Sequence, residues 1–89
     1  MEADKHYFYV LECADGSYYA GYTNDLEKRL EAHNSGKGAK YTRARRPATL
    51  IYQEQFETKP AAMKAEYAFK QLPKPKKIRY IADRKEDGQ

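Results

Sequence analysis

The sequence predicts an α+β domain in which a small three-stranded antiparallel sheet is flanked by helices. Strand-like and helix-like stretches follow one another without a repeat, linker or low-complexity tract, an order that packs naturally as helices over one sheet. At 89 residues the chain can bury one modest core and no second lobe. With 40% hydrophobic residues and nine tyrosines it is too apolar and aromatic to remain disordered.

The stretch "YFYVLEC" (7–13) is rich in aromatic and β-branched residues and reads as a first strand, "ADGS" as a turn, and "YYAGY" (18–22) as a second strand. Loop length decides the pairing. A two-residue Asp15-Gly16 loop sets Tyr9 opposite Tyr22 and sends Tyr19 to the other face. A three-residue loop, Ala14-Asp15-Gly16 with Gly16 left-handed in a bulge, pairs Leu11 with Tyr19 and places Tyr9 and Tyr19 on one face. Gly21 ends the second strand at a point where the backbone can approach a ligand closely.

A capped helix follows at 24–35. Asn24 with Glu27 three residues on forms a capping-box pattern; Leu26, Leu30 and His33 make the apolar stripe; Gly36 stops the helix. Glu27, Lys28 and Glu31 form a solvated face, whereas Arg29 borders the stripe, where a purely structural helix would carry another aliphatic residue. "GKGAKYTRARRP" has the glycine, proline and charge content of an ordered but exposed connector. "ATLIYQEQF" (48–56) alternates as a third strand. "TKPAAMKAEYAFKQL" (58–72) is a helix opened by Thr58 and Pro60, with Ala62, Ala65, Phe69 and Leu72 as its buried stripe. A short last helix begins near Pro75, so the expected core spans about 6–82, followed by a short polar tail, 83–89.

The net charge of +4 is modest, but its distribution is not even. Residues 36–49 carry Lys37, Lys40, Arg43, Arg45 and Arg46 without an acid, and residues 67–81 carry Lys70, Lys74, Lys76, Lys77 and Arg79, again without one. One such run is as readily a solvated surface; two flanking one small core match the footprint of a phosphate-backbone binder. The single Cys13 cannot form an internal disulfide, "MEADKHYF" lacks an apolar signal segment, and no stretch approaches membrane-spanning length. The expectation is a cytoplasmic protein without membrane contact.

Glu66 is the only acid between Glu57 and Asp83 and lies beside the buried stripe. It reads either as a surface partner of Lys70, stabilising by only about 0.3–0.5 kcal/mol, or as a carboxylate reserved for a divalent cation, since Mg²⁺ often takes one carboxylate plus water and substrate phosphate. Most of the tyrosines read as half-buried strand packing with a wet hydroxyl.

These residues carry a resemblance to the GIY-YIG nuclease domain. "YFY" (Tyr7, Phe8, Tyr9) stands at its first motif and "YAG" (Tyr19, Ala20, Gly21) at its second. "TNDLEKRL" resembles the family's helix with Arg29 at the active-site arginine, and Glu66 in "AEYAFKQL" resembles the metal-binding glutamate. "HNSGKGAKYTR" and "EYAFKQL" look like the small stand-alone bacterial members, and the likeness runs from about residue 6 to 82. The pattern departs where Tyr7 replaces the leading glycine and where Tyr22 stands in place of lysine.

The resemblance implies a metal-dependent endonuclease acting on DNA, including branched or damaged DNA in repair or recombination, with a protein partner for targeting. It implies one Mg²⁺ or Mn²⁺ on Glu66, a phosphate contact from Arg29, and a general-base role for Tyr9. Tyr19 and His33 would then hold the nucleophile and phosphate, and the basic residues Lys37, Lys40, Arg43, Arg45, Arg46, Lys70, Lys74, Lys76 and Lys77 would hold the nucleic acid. With a reference pKa of about 10, only about one tyrosine in a thousand is ionised at pH 7. Arg29 and the metal must therefore favour the Tyr9 phenolate. The competing reading is a non-catalytic nucleic-acid- or partner-binding module that keeps the fold and the basic surface. A phosphate-ligand domain is disfavoured, because no glycine-rich phosphate loop follows a strand and opens a helix.

Overall fold

In the computed structural model, which describes residues 5–87, three strands and four helices follow in the order β1 (His6–Glu12), β2 (Tyr18–Thr23), α1 (Leu26–Asn34), α2 (Lys40–Arg43), β3 (Thr49–Phe56), α3 (Lys59–Lys70) and α4 (Lys74–Asp87). The sheet is antiparallel with β1 central, in the order β2-β1-β3. It is the α+β arrangement that the order of elements predicts.

The hairpin adopts the three-residue loop. Gly16 takes φ +85°, its N–H donates to the Cys13 carbonyl at 2.9 Å, and Leu11 pairs with Tyr19. Asp15 braces the turn by accepting from the Ser17 backbone at 3.0 Å and from its hydroxyl at 2.6 Å. Tyr9 and Tyr19 therefore share a face, packed with Leu11, Leu26, Leu30, Ala48 and Leu50 under α1. The opposite face carries Phe8, Val10 and Ala20 against Phe69 of α3 and Ile81 of α4, with Tyr52 and Tyr80 closing the aromatic cluster. A bulge in β3 opposite Val10 and Leu11 leaves Ile51 unpaired between Leu50 and Tyr52. Through it, the consecutive Ile51 and Tyr52 both reach the second core, which strict alternation does not allow.

Three local expectations are corrected. The α1 N-cap is Asp25, not Asn24: its carboxylate accepts from the Lys28 N–H at 3.1 Å, while its own N–H is held by the Thr23 hydroxyl at 3.1 Å. The connector contains a helical turn, α2, that tucks Thr42 fully inside. The last helix is not short; α4 has 14 residues and runs through most of the expected tail. At the far end of α1, Gly36 with φ +87° follows the C-cap Ser35, as the stop signal predicts. Asn34 then pairs both ways with Ala48, donating to its carbonyl at 3.0 Å and accepting its N–H at 2.8 Å, which ties α1 to the start of β3.

Gly21 is required by packing. It lies opposite Tyr9, and a Cβ there would sit 2.5 Å from the Tyr9 hydroxyl. We expect Gly21→Ala to destabilise the fold by about 1–3 kcal/mol through overpacking, read from urea denaturation. Tyr9→Phe in that background should recover part of the loss; strict additivity of the two changes would dissociate Gly21 from Tyr9.

Candidate active site

Tyr9 lies at the centre of the site. It is only 2% exposed, so its hydroxyl needs partners within the protein. They come from α1: Arg29 donates from Nε to the phenol oxygen at 3.4 Å, and His33 Nε2 lies 2.9 Å from the same oxygen. Arg29 and His33 are one helical turn apart, so one face of α1 delivers both onto a single strand residue. His33 is fully buried, and its second nitrogen, Nδ1, lies 2.8 Å from the Thr42 hydroxyl. Tyr19 stands edge-on to the His33 ring at 5.3 Å and stacks on the exposed Tyr41 at 6.0 Å. Gly38 brings the connector directly over His33, where any Cβ would collide with the imidazole.

The electrostatics follow from burial and one cation. Burial raises the Tyr9 pKa above its usual value, and the Arg29 hydrogen bond and charge only partly oppose this. Of the two groups expected to favour phenolate, Arg29 alone does not outweigh burial, so without a bound metal ion Tyr9 is a neutral phenol. Burial, and then the Arg29 charge, push the His33 pKa down, so the imidazole is neutral at neutral pH. The Arg29 cation is reinforced chiefly by its bond to Tyr9, and Tyr19 also favours it. Arg29 pairs with no carboxylate among the described residues, so its charge is open to an anion.

Tyr9, Tyr19, Arg29 and His33 thus come together. His33, with both ring nitrogens engaged and no exposed surface, sits behind Tyr9 and cannot itself hold a nucleophile or phosphate. Glu66 comes from α3, whose apolar stripe packs on the other face of the sheet, and its carboxylate acts on Tyr9 electrostatically. Its side chain is 15% exposed and one oxygen meets the Lys70 ammonium at 2.8 Å. Among the described residues no group of three or more His, Cys, Asp or Glu gathers as a metal cluster. A lone half-buried carboxylate suits a hard cation that keeps its waters and is completed by phosphate oxygens, so Glu66 fits one Mg²⁺ or Mn²⁺ of that kind.

Both basic runs are anchored to the β1–β2 turn. Arg45 donates to Asp15 at 3.1 Å and lies 4.0 Å over the Tyr41 ring, and Lys74 donates to the Gly16 carbonyl at 2.8 Å. Arg46 is folded onto the Arg43 carbonyl at 3.0 Å, Lys70 is paired with Glu66, and Lys77 lies over Phe69. Lys37, Lys40, Arg43 and Lys76 are exposed, and their side chains make no hydrogen bond or ion pair among the described residues. Sequence reasoning missed Thr42 and Asn34, whose partners are distant in the chain; the place of His33 among the leucines of the α1 stripe was the one signal that a buried polar partner had to exist.

Comparison with known proteins agrees with this architecture. UPF0213 proteins of Bacillus velezensis and Bacillus subtilis are 64% and 58% identical over 85 residues, covering 96% of this chain and 86% of each relative. The solution structure of the UPF0213 protein from Bacillus halodurans matches with a TM-score of 0.59 at 49% identity, over 88% of this chain and 83% of that one. That of a protein from E. faecalis matches at 0.60 and 52% identity, over 90% and 86%. No described helix is long and apolar enough to cross a membrane. The model of the GIY-YIG catalytic domain matches residues 5–79, and the chain belongs to the GIY-YIG family.

Proposed function

We propose that this protein is a divalent-metal-dependent endonuclease that hydrolyses phosphodiester bonds in DNA. The observation that carries the reading is the Tyr9 hydroxyl, held between the Arg29 cation and a neutral His33. A phenol with a raised pKa is a poor base alone, but one already bonded to a neutral imidazole can pass its proton on. As water attacks phosphorus, its proton goes to the Tyr9 oxygen while the Tyr9 proton moves to His33 Nε2. No free phenolate is required. The Arg29 fork pairs with the non-bridging oxygens as charge builds, and the leaving oxygen takes its proton from solvent. When bound to Glu66, the cation supplies Lewis-acid polarisation of the phosphate and stabilises the leaving oxygen. The products are a phosphate monoester and an alcohol, and His33 returns its proton through Tyr9.

The Glu66–Lys70 pair favours the alternative, a binding module in which Glu66 only closes a helix-surface ion pair. Cleavage of duplex, branched and single-stranded DNA with Mg²⁺ or Mn²⁺, against chelator, separates the two. The enzyme reading expects metal-dependent cutting, and Glu66→Gln should lower its rate by several orders of magnitude, each ~1.4 kcal/mol being tenfold. Folding stability should stay within about 0.5 kcal/mol. Equal cleavage by wild type and Glu66→Gln would leave Glu66 a salt-bridge residue.

Lys37, Lys40 and Arg43 have the exposure of backbone contacts. Replacing each by Ala should weaken DNA binding uniformly across sequences and reduce the salt slope by about one unit. An unchanged slope in the triple variant assigns this surface to solvent or to a protein partner.

The depressed His33 pKa sets the acid limit. The unfolded chain takes up the proton at about 6.5 and the folded one only at lower pH. His33 therefore contributes stability above pH ~6.5 that is lost as pH falls through its folded pKa. Nuclear magnetic resonance titration should place the His33 midpoint below 6.5, with cleavage declining in the same range; a midpoint at or above 6.5 contradicts a neutral acceptor.

A further inference from the structure

We infer that Thr42 is a positioning residue for this reaction: its buried hydroxyl holds His33 in the tautomer whose Nε2 is free to accept the Tyr9 proton. The inference rests on the hydrolytic reading and deepens it. Thr42 lies in the basic connector, where Lys40, Tyr41 and Arg43 are exposed, yet it is fully buried. Its Oγ1 makes two contacts, to the Ala39 carbonyl at 3.0 Å and to His33 Nδ1 at 2.8 Å.

A hydroxyl has one proton, and a carbonyl can only accept. The Thr42 proton therefore goes to Ala39, and its lone pair faces Nδ1, which must carry the imidazole proton. Nε2 is left with a lone pair 2.9 Å from the Tyr9 oxygen, so Tyr9 donates to it. The opposite tautomer aims both Nε2–H and the Arg29 Nε–H at the Tyr9 oxygen. The phenol proton, on a residue 2% exposed, then has no acceptor among the described residues. An unmade bond on a buried donor is costly, so the first arrangement prevails. α2 thus places this hydroxyl, and Gly38 is the point at which the chain passes close to His33.

The test uses the full chain, ¹⁵N-labelled on histidine, with long-range ¹H–¹⁵N spectra at neutral pH reporting the His33 tautomer without substrate. Wild type and Thr42→Ser should show Nδ1–H. Thr42→Val, of nearly equal volume but without the hydroxyl, should lose that preference. In the cleavage assay Thr42→Val should lower kcat about a hundredfold with KM little changed, and Thr42→Ser should restore most of it. An Nε2–H tautomer in wild type overturns the inference, as does a Thr42→Val variant with wild-type tautomer and kcat. So does Thr42→Ser if it keeps the tautomer but is as slow as Thr42→Val, which would make Thr42 a packing residue only. If Thr42→Val does not fold, the wild-type tautomer and the Thr42→Ser rate still decide. An Nδ1–H tautomer in a wild type that cuts no substrate instead removes the hydrolytic reading and leaves the hydrogen-bond assignment standing.

Discussion

The hydroxyl of Tyr9 is a polar group placed in an apolar core, and much of the molecule is arranged around the need to bond it. An unpartnered buried hydroxyl would cost about 1–3 kcal/mol, a large share of what so small a domain has in reserve. Its partners come from α1, and α1 can present them only if it crosses the face of the sheet that Tyr9 occupies. That face is chosen by the hairpin register, so Gly16 in its left-handed conformation is linked through β1 to the chemistry of the site. The absence of a side chain at Gly21 admits the phenol, and its absence at Gly38 admits the connector that holds His33.

What could be read from the sequence was what local rules control. The turn residues and the side-chain alternation reduce the hairpin to two registers, and the structure takes the one with Gly16 left-handed, which keeps Tyr19 on the face of Tyr9. The stripe of Ala62, Ala65, Phe69 and Leu72 is recovered in the packing of α3. The α1 cap was missed by one residue because Asn24 and Asp25 both satisfy the composition rule. The Thr23 hydroxyl, which captures the Asp25 N–H, decides between them, and a capping pattern does not contain that contact. Thr42 was hidden for a different reason: four residues of helix have no periodicity to detect, and its neighbours are charged and exposed. Its partner is nine positions away across a loop. Asn34 and Ala48 are likewise joined only by the fold. Arg29 was visible because a cation beside an apolar stripe breaks a local rule, and such breaks fall preferentially at sites.

The basic connector serves two purposes that composition alone merges into one. Its outward residues Lys37, Lys40 and Arg43 carry free charge, whereas Arg45 and Arg46 are tied back onto the protein. Arg45 keeps the end of α2 in place against the β1–β2 turn, and α2 in turn presents Thr42 to His33. Charge counted along the sequence therefore overstates the charge offered to a ligand.

Burial and catalysis pull Tyr9 in opposite directions, and the hydrogen bonds show how both can be met. Desolvation raises its pKa, and a single guanidinium at 3.4 Å does not overcome that. In the proposed mechanism, linking the phenol to a buried neutral imidazole removes the conflict, because the ring that would accept the proton is one that burial has already made neutral. The same desolvation that weakens Tyr9 as an isolated base thereby keeps its partner ready to receive. In the proposed reaction the charge taken up by His33 in the low-dielectric interior is unfavourable, which drives its proton back onto Tyr9 as Tyr9 gives the proton it took from water to solvent.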